Sequence, residues 1–65
     1  MRIKLNGEEK EIAAQTIAEL LRESNAPAIG VAVAQNGKVV RRAEHGSTPI
    51  AEGDEIEIIR AVQGG

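Results

Sequence analysis

An α+β domain is the fold class this sequence predicts: a mixed sheet of four or five strands with one helix laid across one face. Three observations predict it. Residues Met1–Leu5 and Glu55–Ile58 alternate apolar with charged side chains, as half-buried strands do. Asn-Gly occurs at Asn6-Gly7 and again at Asn36-Gly37, and a type I′ hairpin turn needs positive φ at both of its central positions. A helical pattern from Thr16 to Ser24 opens on Thr-x-x-Glu, the capping-box spacing.

The elements follow in order. Met1, Ile3 and Leu5 share one face of the first strand, and Arg2 and Lys4 the other. Glu8 to Ile12 returns antiparallel; its polar composition suits a sheet edge, where charge discourages unwanted pairing. The helix gathers Ile17, Leu20 and Leu21 on one face, extended by Ser24 or Ala28, with Glu19, Arg22 and Glu23 toward solvent. Asn25 and Pro27 stop it. So short a helix does not hold alone in water, so it must lie on the sheet.

In the second hairpin Val31 and Val33 alternate with Ala32 and Ala34, and Val39-Val40 lead out. Both sets are apolar, so the parity is open; the alanines would leave room for the helix if they face it. His45 to Pro49 reads as a loop with room for a short helical turn, and Glu52-Gly53-Asp54 as a turn. Glu55 to Val62 is the last strand, with Ile56 and Ile58 inward and Glu55 and Glu57 outward. That parity puts Ile59 and Ala61 outward. An outward Ile beside the chain's end fits a binding face, formed by Ile59, Ala61 and Val62. The first and last strands are expected as central, parallel neighbours. The sheet's second face is left to solvent or a partner.

Length and composition bound the rest. A chain of 65 residues is one small domain, expected over residues 1–62 with a flexible tail at 63–65. A domain this size buries only about 60% of its unfolded surface. It has no cysteine to form disulfides or a thiolate metal site, and no aromatic residue, so the core must be aliphatic. The net charge of −2 is mixed along the chain, with no basic run; nucleic acid is not an expected partner. No apolar stretch reaches the length of a membrane span, and no signal peptide precedes the first strand, so no membrane partner and a cytoplasmic location are expected.

Candidates for side-chain chemistry are few. His45 is the one histidine and reads as a surface loop residue. It has no second histidine or cysteine with which to hold a metal. Apart from Thr16, which caps the helix, the hydroxyls are Ser24, Ser47 and Thr48. A Ser47-His45-Asp54 set can be written down, but no nucleophile elbow supports it. The glycines form no phosphate loop, and Glu8, Glu9 and Glu11 read as a solvated edge. No catalytic residue and no metal site are assigned, and no bound cofactor is expected.

The chain ends Arg60-Ala61-Val62-Gln63-Gly64-Gly65. At average glycine usage a Gly-Gly end has odds of roughly one in two hundred. Glycine lacks Cβ and tolerates close backbone approach, so Gln63, Gly64 and Gly65 could thread a narrow channel. The carboxylate itself is a poor electrophile. As an acyl-adenylate it becomes reactive: a sulfur nucleophile gives a thiocarboxylate, and a lysine amine an isopeptide bond.

The opening MRIKLNGE, the middle VAVAQNGKVVRR and the close IAEGDEIEIIRAVQGG resemble the ThiS family, the sulfur carriers of thiamine biosynthesis. The resemblance covers essentially the whole chain and is most specific from Glu52-Gly53-Asp54 to Gly64-Gly65. It implies a ubiquitin-like β-grasp fold. It implies that Gly65 is adenylated with ATP by an E1-like enzyme of the ThiF type. Sulfur from a cysteine desulfurase route would then be carried covalently on Gly65 as a thiocarboxylate. Thiazole synthase of the ThiG type would receive it. Many relatives carry an aromatic near His45, a proline near Val40, and Gly or Ala at the position of Gln63. Those departures touch packing and tail detail. The small subunit of molybdopterin synthase shares the fold and the Gly-Gly end, but typically has Pro-Pro before its tail, where this chain has Arg60-Ala61. A ubiquitin-like modifier conjugated through Gly65 is a third reading.

Overall fold

The structure, a computed structural model, describes residues 1–26 and 30–60. Expectations placed on Pro27, Ala28, Ala61, Val62 and the tail of Gln63, Gly64 and Gly65 lie outside the described residues. The elements are β1 (Arg2–Leu5), β2 (Glu8–Glu11), α1 (Ile17–Glu23), β3 (Val31–Gln35), β4 (Lys38–Val40), a 3-10 turn (Arg42–Glu44) and β5 (Glu55–Arg60). They form a 5-stranded sheet in the order β2-β1-β5-β3-β4. The pair β1 and β5 is parallel and the other pairings are antiparallel. The expected parallel neighbours thus lie inside the sheet, with the charged β2 at an edge. This mixed sheet wrapped on one helix is the ubiquitin-like β-grasp.

Both Asn-Gly turns take the type I′ conformation, with φ 52° at Asn6 and Asn36 and 85° at Gly7 and Gly37. Each asparagine also grips β5. Asn6 N–H donates to Ile56 O (2.9 Å), and Asn6 Oδ1 accepts from Ile58 N–H (2.9 Å). Asn36 N–H donates to Glu55 O (2.7 Å), and Asn36 Oδ1 accepts from Glu55 N–H (2.9 Å). The hairpin tips therefore extend the ladders on both sides of the central strand.

The helix begins as its sequence dictates. Thr16 Oγ1 accepts from Glu19 N–H (3.2 Å), one half of the capping box. The other half is displaced by one residue: Glu19 Oε1 accepts from Gln15 N–H (2.8 Å). Glu23 accepts from Ala13 and Ala14 N–H (3.2 and 2.9 Å), which ties the loop after β2 along the helix. The helix ends in a Schellman motif. Asn25 takes φ 59°, and Ala26 and Asn25 N–H reach Leu21 and Arg22 O (2.8 and 3.2 Å).

The core is aliphatic, as composition required. Ile17, Leu20 and Leu21 of α1 cluster with Ile3, Ile12, Val33, Val40, Ile50 and Ile56. The open parity of β3 resolves with Val33 inward. Ala32 is exposed, and Ala34 lies on its side of the sheet.

One expectation is overturned. His45 is not a surface residue: it is 6% exposed. The 3-10 turn folds the chain back onto the helix, so His45 O accepts from Ala18 N–H (2.9 Å). The ring is carried inward, where Nε2 lies 3.2 Å from Val40 O. A carbonyl can only accept, so that nitrogen carries the hydrogen.

Candidate functional site

The chain's last described strand, β5, is the middle member of the sheet. Its parity sets the site. Ile56 is buried, while Glu55, Glu57 and Ile59 point to the face away from the helix. Ile59 is 58% exposed, as its alternation with Ile56 and Ile58 predicts. The strand's described residues end at Arg60, next to Ile59 on this open sheet face.

Register shows what surrounds Ile59. It stands opposite Ala32, while Glu57 stands opposite Ala34. Ala34 in turn stands opposite Val39 on β4. Directly paired residues project to the same face, so Ile59, Ala32, Ala34 and Val39 form one apolar patch. Val39 is 77% exposed, which makes it and Ile59 the exposed large apolar residues among those described. Sequence reasoning found Ile59 and missed Val39 and the alanines. The signal was present in the two-residue turn: it sets Gln35 opposite Lys38, and an inward Val33 then forces Val39 outward.

The other half of this face is charged. Arg2 pairs with Glu9 (3.4 Å) and Glu11 (3.9 Å), and the Met1 amine lies 3.1 Å from Glu11. The Arg2, Glu9 and Glu11 side chains are largely exposed, and pairs between them contribute little stability. They frame the apolar patch with polar surface on the β1 and β2 side.

The start of β5 is held by Asp54. Its carboxylate accepts from Ala51 N–H (2.9 Å), Gln35 Nε2 (2.9 Å) and Asn36 Nδ2 (3.0 Å). Burial pushes the carboxyl up, but the hydrogen bonds from Ala51, Asn36 and Gln35 outweigh it, and the group sits below its ordinary value. Asp54 is thus a structural acceptor that joins the turn before β5 to the second hairpin.

The Ser47-His45-Asp54 set is not assembled. Ser47 Oγ donates to Glu44 O (3.3 Å), the His45 ring faces Val40 O, and Asp54 serves Gln35 and Asn36. Among the described residues no group of three or more His, Asp or Glu is placed to hold a metal. No described helix is long and apolar enough to cross a membrane.

Comparisons with known proteins agree with this geometry. The ThiS family model matches residues 3–65. The sulfur carrier protein ThiS of Thermus thermophilus is 34% identical over 61 residues, covering 94% of this chain and 95% of that protein. The crystal structure of the thiamine biosynthesis protein ThiS from Geobacter metallireducens superposes with a TM-score of 0.86 at 29% identity, covering 100% of both chains. The solution structure of a Geobacter metallireducens thiamine biosynthesis protein gives 0.83 at 29% identity, covering 100% of this chain and 88% of that one. A family match that spans the strand alternation, both Asn-Gly turns and the Gly-Gly end leaves one assignment: the chain belongs to the ThiS family.

Proposed function

We propose that this chain is a sulfur carrier of thiamine biosynthesis, a substrate of other enzymes rather than a catalyst, with its cargo on the Gly65 carboxylate. The observation that carries this reading is the family match, which runs to residue 65 of a chain ending Gly64-Gly65. In the proposed cycle the carboxylate oxygen attacks the α-phosphorus of ATP and releases pyrophosphate. A persulfide sulfur then displaces AMP from the acyl-adenylate to give an acyl disulfide, and a thiol cleaves its S–S bond, forming a disulfide with the donor's inner sulfur and releasing the thiocarboxylate. The sulfur passes to an acceptor in thiazole formation. ATP is consumed by an E1-like activating enzyme, and the sulfur comes from a cysteine desulfurase route.

The carrier contributes shape. Its sheet face offers Ile59, Val39, Ala32 and Ala34 as a docking surface, and Ala61 and Val62 belong to the same proposed partner contact. Gln63, Gly64 and Gly65 supply slim backbone to enter the activating site. Deleting Gly65 shortens the reach by about 3.3–3.6 Å, enough to withdraw the carboxylate from the reacting phosphate.

The test is intact mass after incubation with ATP, the activating enzyme, a persulfide source and a thiol reductant. The C-terminal peptide gains the sulfur-for-oxygen mass difference. The same shift on another residue, or full activation of the Gly65 deletion, overturns the proposal.

A further inference from the structure

On the helix side of the sheet, away from the Ile59 patch, a groove of about 280 Å³ runs between α1 and the 3-10 turn. Ala18, Leu21 and Ala26 give it apolar walls, and the buried His45 also lines it. Arg22 and Arg42, both exposed, line it. Among the described residues neither guanidinium has a carboxylate at ion-pair distance; the ion pairs lie at Met1 and Arg2. This is notable in a chain with 10 acidic and 8 basic residues. The carboxylates nearest along α1 are otherwise engaged. Glu19 accepts from Gln15 N–H, and Glu23 from Ala13 and Ala14 N–H.

We infer that this groove is a second docking site, which takes an acidic segment of a partner protein carrying one aliphatic side chain. The aliphatic group would cover the apolar walls, and flanking carboxylates would meet Arg22 and Arg42. Charge complementarity selects the occupant: arginine forks match carboxylates in a way that neutral or basic segments cannot. The groove lies on the opposite side of the sheet from Ile59, so a partner here leaves the Ile59 face free. The inference therefore stands apart from the carrier proposal.

The experiment uses the full chain, labelled with 15N, and an end-blocked pentapeptide Asp-Glu-Leu-Glu-Asp. Amide shifts are followed during titration at low salt. The expected result is saturable movement of Ala18, Leu21, Arg22, Arg42 and Gly46, with a Kd of about 1 mM or tighter. Binding weakens as salt is raised, because the contacts are exposed charges. The double variant Arg22→Glu with Arg42→Glu weakens it at least tenfold. The neutral pair Arg22→Gln with Arg42→Gln lies between the two and guards against a folding artefact. Non-saturating shifts, movement centred on Ile59 instead, or equal binding by a Lys-Arg-Leu-Arg-Lys peptide would overturn the inference. So would the same shifts with acetate alone, which would make the groove a site for small anions.

Discussion

The sharpest prediction concerns Ile59→Asp. Full burial of an isoleucine side chain is worth about 1.5–3 kcal/mol. Ile59 leaves 58% of its surface exposed in the free protein, so covering it in a complex contributes about 1–2 kcal/mol. Aspartate forfeits that contribution and places an unpaired carboxylate in a desolvated contact, at a further cost of about 1–3 kcal/mol. The minimum, about 2 kcal/mol, corresponds to roughly a 30-fold loss of affinity. The fold should tolerate the change, because the side chain faces solvent opposite Ala32. Strand preference limits the cost to about 1 kcal/mol, a fall in Tm of about 4–8 °C in a domain this small. Ile56→Asp, at a position 1% exposed, should instead abolish folding. The assay is ATP–pyrophosphate exchange by the activating enzyme at increasing carrier concentration, beside thermal melting followed by circular dichroism. Unchanged half-saturation by a folded Ile59→Asp protein would refute the assignment of this face.

Further outcomes follow from the same contacts. Thr16→Ala removes the acceptor for Glu19 N–H and should lower stability by about 1 kcal/mol; an unchanged urea midpoint would contradict it. Asp54 has a folded value below its ordinary 3.8, so it contributes stability above that pH and loses it as pH falls through the folded value. Asp54→Asn should therefore lower the urea midpoint near neutrality and flatten its fall below pH 3.8; parallel curves for the two proteins would show that Asp54 contributes nothing. His45→Ala should lower Tm, since the ring is buried against Val40 O, while Ser47→Ala, at an exposed position, should leave both Tm and sulfur loading unchanged. Loading lost in a stable Ser47→Ala protein would return side-chain chemistry to consideration.

Much of the fold was legible because the deciding interactions are local. Alternation in β1 and β5 comes from the two-residue period of a strand. The Asn-Gly turns follow from the positive φ that those residues tolerate. Thr16 is chosen by the exposed amides of a helix start, and Asn25 by the left-handed residue at its end. The outward Ile59 follows from counting residues along one strand. The resemblance to the ThiS family rests largely on the same residues that build these elements.

What only the tertiary structure decided depends on segments distant in the chain. Four apolar residues in a row, Val31 to Ala34, are consistent with either face. Burial of Val33 against Leu20 and Ile56 in one core settles it, and that choice exposes Val39 and completes the patch. His45 sits in a polar, glycine-containing stretch that reads as surface. It is buried because its backbone oxygen meets Ala18 on the helix, a pairing across 27 positions that no local pattern encodes. The roles of Asn6 at Ile58 and Asn36 at Glu55 are of the same kind. A turn residue's backbone preference is a property of its own covalent geometry, whereas the partner its side chain finds depends on which strand the sheet brings alongside.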